Sequence, residues 1–200
     1  EAVKSEVIGN ATELIEGDRN VCRVQECGMG NLVADAQLDR VADQGVTISI
    51  ANSGGLRASI DAGEITMGEV LTVLPFSNTL ATFQISGADL VASLENGVSQ
   101  IEEVAGRFPQ VAGLKYTFDK SKPVGSRISD VLVQDGANWV PIDPAKTYGV
   151  VTNNYVRGGG DGYALFGTNA QYAYDFGPPL ERVLADFIAK QGGTYTPYTD

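Results

Sequence analysis

Several side chains in this sequence sit in turn-like segments, where chemistry is more plausible than packing. Asn52-Ser-Gly-Gly-Leu-Arg57 follows directly on an apolar, strand-like run. Two glycines at a strand exit let backbone N–H groups approach a ligand, and Arg57 offers a bidentate fork to a phosphate or carboxylate. Taken alone, a tight turn with a solvated arginine is the plainer account. In Gly158-Gly-Gly-Asp-Gly162, Asp161 is a short carboxylate on a pliable loop, suited to accepting two hydrogen bonds from a vicinal diol such as a ribose. The alternating acidic spacing of a calcium loop is missing there, and a simple Gly-rich turn is the alternative. Phe76, in Leu74-Pro-Phe-Ser-Asn78, and Tyr155, in Asn154-Tyr-Val156, fall outside any periodic stripe. Two such rings either cover core edges or clamp a flat base, at about 1–3 kcal/mol per stacked face. Arg23 lies between Cys22 and Cys27 in CRVQEC, as a surface charge or a second anion contact.

Composition removes whole classes of function. The chain has no histidine, so within it an imidazole-based zinc site, a Ser/His/Asp triad and a Cys/His nucleophile are all excluded. Cys22 and Cys27 are the only thiols, and no second pair exists to complete a metal tetrahedron. A local disulfide is their simplest use, with two ordinary thiols nearly as plausible. A formal net charge of -11 argues against nucleic acid polymers, although a local pair of arginines can hold one small anion. No apolar run approaches the ~20 residues needed to cross a bilayer. Glu1-Ala-Val-Lys-Ser-Glu6 is too polar for the apolar core of a signal peptide, and both ends read as cuts within a longer polypeptide.

These residues need elements to hold them. Residues 1 to 15 suggest a helix end running into a strand. A helix is expected from Gly30 through Leu32, Val33 and Ala36, followed by a strand over Val46–Ile50. Thr66-Met-Gly-Glu69 is a capping box opening a short helix that ends at Pro75. Ala81, Phe83 and Ile85 alternate as a strand, and Ser86 caps a helix with the stripe Leu90, Val91, Leu94 and Val98. Leu114, Tyr116 and Phe118 alternate as another strand, Asp135-Gly136 marks a hairpin, and Tyr148–Thr152 is an apolar strand leading to the Gly-rich loop. Leu180, Val183, Leu184, Phe187 and Ile188 give the clearest helix. Several strands follow one another with no helix between them. The expected fold is therefore α+β (mixed α/β), a single domain with a mixed sheet covered by helices.

Taken together, Cys22-Arg-Val-Gln-Glu-Cys-Gly-Met-Gly-Asn31, Asn52-Ser-Gly-Gly-Leu-Arg57, Leu74-Pro-Phe76, Asp143-Pro-Ala-Lys-Thr-Tyr148 and Gly159-Gly-Asp-Gly-Tyr163 resemble, in this order, the C-terminal domain of the 5'-nucleotidase family, which includes UDP-sugar hydrolases. The resemblance implies residues 1–20 as the end of an interdomain linker with the first strand, and residues 21–200 as the substrate-binding domain. It implies Phe76 and Tyr155 as the rings that sandwich the base, Asp161 as the ribose ligand, Asn52 near the base, and Arg23 and Arg57 on the phosphate. Tyr155 stands where phenylalanine is common, so tuned specificity is expected. Cys22 and Cys27 resemble a disulfide pair of the animal enzymes. The chain itself would carry neither catalytic residues nor cofactor. Two divalent metal ions are expected in an N-terminal metallophosphoesterase domain, the partner in the same polypeptide, and the setting would be periplasmic or extracellular. The same domain of a 2',3'-cyclic-nucleotide phosphodiesterase/3'-nucleotidase, and a free-standing nucleoside-binding module, are the alternatives.

Overall fold

The computed structural model describes residues 3–200. In chain order its strands and helices are β1 (Val7–Ala11), α1 (Arg19–Cys22), α2 (Gly28–Val41), β2 (Ile48–Asn52), β3 (Gly63–Thr66), α3 (Met67–Val73), β4 (Leu80–Ser86), α4 (Gly87–Gly97), β5 (Pro109–Ala112), β6 (Leu114–Phe118), β7 (Ile128–Asp135), β8 (Asn138–Pro141), β9 (Thr147–Asn153), α5 (Asn154–Arg157), α6 (Ala164–Thr168), β10 (Gln171–Tyr174) and α7 (Leu180–Lys190). A central mixed sheet has the order β10-β4-β9-β2-β5, in which β2 and β9 run parallel and the remaining pairs antiparallel. This is the mixed sheet covered by helices that the sequence leads one to expect.

Strand β2 shows how residue alternation builds the layers. Ile48 and Ile50 enter one core while Ala51 enters the other, and all five residues of the strand are buried. A strand covered on both faces therefore reads as a nearly continuous apolar run. On one face lie α2, α3 and α7, with Leu180, Val183, Leu184 and Ile188 of α7 buried against Leu32, Val33 and Val70. On the other lie α4, α6 and the three-stranded sheet β6-β7-β8, through Leu90, Leu94, Leu114, Val133 and Phe166. Each such large aliphatic side chain contributes about 1.5–3 kcal/mol on burial.

Capping fixes where the helices start. Thr66 Oγ1 accepts from the Glu69 N–H at 3.3 Å while the Glu69 carboxylate accepts from the Thr66 N–H at 3.0 Å, the reciprocal box expected at α3. Ser86 caps α4 by accepting from the Asp89 N–H.

The sequence-based boundaries shift in places. β2 extends to Asn52 because its antiparallel partner β5 keeps pairing that far, with Asn52 opposite Pro109. The hairpin turn is Gly136-Ala137, since Asp135 pairs with Asn138. Among the described residues the N-terminal segment is a turn followed by β1, without a helix end; residues 1 and 2 lie outside the described residues. Strands β3, β5 and β10, of four residues each, are too short to show a period.

Candidate functional site

The parallel pair β2 and β9 brings two asparagines to the same end of the sheet, the position where open sheets with parallel strands usually hold ligands. Asn153 ends β9 and caps α5, its Oδ1 accepting from the Val156 N–H at 2.9 Å, while its Nδ2 donates to Asn52 Oδ1 at 2.9 Å. Asn52 Nδ2 in turn donates to Asp161 Oδ2 at 2.8 Å, and the Tyr155 hydroxyl donates to Asp161 Oδ1 at 3.2 Å. Asp161 sits at φ 56°, in the left-handed region that aspartate tolerates better than most residues. Its carbonyl accepts from Asn96 Nδ2 at 3.0 Å. One contact on each carboxylate oxygen leaves further lone pairs for a ligand's hydroxyls.

Of the two aromatics, Tyr155 touches this carboxylate and Phe76 lies beside Arg57. Phe76 is 53% exposed, on a turn where Ser77 is left-handed at φ 59°, and the Arg57 guanidinium lies 5.4 Å from its ring centroid. Tyr155 is 50% exposed and its ring lies over Gly160, where a Cβ would come within 2.5 Å of the ring. Phe76 also shares the lining of a small cavity with Asn52, Asn78, Asn153 and Glu181.

Arg23 is the unusual cation of the site. It is only 8% exposed, its Nη1 donates to the Val104 carbonyl at 3.3 Å, and its Nε is buried with no protein partner. Burial depresses its pKa, the like charges of Arg19 and Arg57 depress it further, and Asp161 opposes them. The loop carrying Arg23 is closed by a Cys22–Cys27 disulfide. Beside it, the Gly54 N–H donates to the Gly106 carbonyl at 2.8 Å; a Cβ on Gly54 would lie 2.9 Å from the Gly106 Cα, so the two loops meet backbone to backbone.

The geometry thus gathers Arg23, Asn52, Arg57, Phe76, Tyr155 and Asp161 around one end of the sheet. It adds residues that the sequence reading passed over. Arg19, four positions before Arg23 on α1, joins the cationic cluster; the i, i+4 spacing of two arginines was a usable signal. Asn153 and Asn96 hold Asn52 and Asp161 in place, and nothing in their sequence context separates them from ordinary surface asparagines. The arrangement can bind an anion, a diol and a flat ring. Among the described residues no group of three or more His, Cys, Asp or Glu side chains is placed to hold a metal ion, and no helix is long and apolar enough to cross a membrane.

Residues 7–168 match the family described as 5'-nucleotidase, C-terminal domain. The chain is 39% identical over 199 residues to the trifunctional nucleotide phosphoesterase protein YfkN of Bacillus subtilis (strain 168), covering 98% of this chain and 14% of that protein. It is 34% identical over 204 residues to a 5'-nucleotidase of Diplobatis ommata, covering 95% of this chain and 35% of that one. The crystal structure of a 5'-nucleotidase precursor from Thermus thermophilus superposes with a TM-score of 0.96 at 41% identity, over 100% of this chain and 39% of that one. The chain therefore spans well under half the length of the relatives it matches. With the family match extending over most of its length and the fold in agreement, the chain belongs to the 5'-nucleotidase family, as its C-terminal domain.

Proposed function

We propose that this domain holds the nucleotide for a metal-dependent 5'-nucleotidase, with the base between Phe76 and Tyr155 and near Asn52, the ribose hydroxyls on Asp161, and the phosphate on Arg19, Arg23 and Arg57. The observation that carries the reading is Arg23: a cation this buried, with an N–H left unpartnered and two like charges beside it, is costly unless an anion completes it. Residues 1–20 carry the end of a connecting segment and the first strand. A metallophosphoesterase domain of the same polypeptide, outside this chain, would bring two divalent ions that polarise the phosphate and deliver water. This chain's own contribution is orientation: stacking fixes the base, Asp161 fixes the sugar, and the arginines fix where the phosphate projects. A periplasmic or extracellular setting accords with the Cys22–Cys27 disulfide.

Calorimetric titration of the chain with adenosine and AMP tests this. The wild type should bind both, and Phe76→Ala and Asp161→Ala should each abolish or greatly weaken binding. A folded wild type that binds neither ligand would sink the proposal. The 39% identity to a protein named as trifunctional favours a broader activity for the whole polypeptide. Assays of that polypeptide on AMP, UDP-glucose and 2',3'-cyclic AMP separate a dedicated 5'-nucleotidase from an enzyme that also opens cyclic phosphates.

A further inference from the structure

Gln110 is a 2% exposed polar residue on β5, outside the constellation described above, and every hydrogen bond of its side chain goes to one segment. Its Nε2 donates to the carbonyls of Cys22 and Gln25, each at 2.8 Å, and its Oε1 accepts from the Cys27 N–H at 3.2 Å. These are the backbone groups of the disulfide loop that carries Arg23. The fold makes room for this amide: a Cβ on Gly30 of α2 would stand 2.3 Å from it. The backbone of Gln110 pairs with Ala51, next to Asn52 on β2. One side chain thus fastens the loop bearing Arg23 to the strand paired with the one that ends in Asn52.

We propose that Gln110 is a positioning residue for the phosphate end of the site, setting where Arg23 stands relative to Asn52 and Asp161. The disulfide closes the loop but does not dock it, because both sulfurs belong to the loop itself. The Arg23 side chain makes a single hydrogen bond, at 3.3 Å, so its aim depends on where its backbone is held. A three-point amide clamp supplies that hold, and cross-links of this kind matter because small displacements of a binding group weaken binding disproportionately. The inference rests on the reading of the arginine cluster as the phosphate site.

The experiment compares AMP with adenosine, two ligands that differ only in the phosphate. In Gln110→Met, similar in length but unable to clamp, AMP should bind about tenfold more weakly while adenosine changes less than about twofold, and the loss should be non-additive with that of Arg23→Met. Equal weakening of both ligands, no change in either, or strict additivity with Arg23→Met would overturn the proposal. A wild type that binds AMP no better than adenosine would instead overturn the phosphate site itself, and the role of Gln110 with it. Should Gln110→Met fail to fold, the side-chain amide resonances of Gln110 in the 15N-labelled wild type serve in its place. They should move on titration with AMP and stay fixed with adenosine; resonances that ignore AMP count against the clamp.

Discussion

Two arginines of this domain are almost equally buried and have opposite surroundings. Arg127 is 7% exposed and has a partner on every guanidinium nitrogen: its Nε donates to the Lys122 carbonyl, its Nη1 to the Val98 carbonyl and to Glu102, and its Nη2 to Glu102 at 2.5 Å. Arg23 is 8% exposed with one carbonyl contact, an unpartnered Nε and two like charges nearby. Burial alone does not distinguish a structural cation from a binding one; the count of unfilled donors does. Arg127 ties the β6-β7-β8 sheet to the end of α4, and its energy is already realised in the free protein. Arg23 keeps an Nε that no group of the chain fills, which is what the proposed phosphate site rests on.

The comparison can be broken at either end. The largest stability effect is expected at Arg127: Arg127→Met strands two carbonyls and a carboxylate and should lower unfolding free energy by about 2–3 kcal/mol in urea titration, with AMP affinity unaltered in the material that remains folded. Arg23→Met should do the reverse, leaving urea stability unchanged or raised because an unpaired buried charge is removed, while AMP affinity falls by about 1.5–3 kcal/mol in calorimetry. If Arg23→Met destabilises as much as Arg127→Met, the distinction between the two cations fails. A smaller change is expected for Tyr155→Phe, which keeps the stacking face and frees one acceptor site on Asp161. Its effect on adenosine affinity should stay within about 1 kcal/mol and be smaller still for 2'-deoxyadenosine, which places one hydroxyl fewer on that carboxylate. The smallest is a pH effect. The hydrogen bond from Arg127 holds the Glu102 carboxyl below its ordinary value of 4.5. A depressed folded pKa means stability that is present above the unfolded value and lost as pH falls through the folded one. Melting temperatures of wild type and Glu102→Gln should therefore converge as the pH is lowered below about 4.5, and parallel curves would show that the pair contributes nothing.

What could be read from the sequence follows from how strongly each residue is constrained locally. Helix α7 and the α3 cap are legible because a helical period and a capping box are written in adjacent residues. Strand β10 is not, because all four of its residues are exposed on a sheet edge and need no alternation. In the site, Arg57 and Asp161 draw attention through the glycines around them. Asn153 and Gln110 do not, because their roles rest on contacts 101 and 83 to 88 positions away in sequence, and no local pattern encodes a partner that distant.

That distance has a consequence for how the domain folds. Asn52 meets Asp161 across 109 positions and Gln110 meets Cys22 across 88, so the pocket is built from contacts of high sequence separation, which form only after long loops have closed. A nascent or partly folded chain lacking β9 and the loop after it lacks Asp161, the carboxylate proposed to take the ribose. Ligand capture at the proposed site would therefore be a report on completed folding, and a ligand that binds only the finished form draws the folding equilibrium toward it.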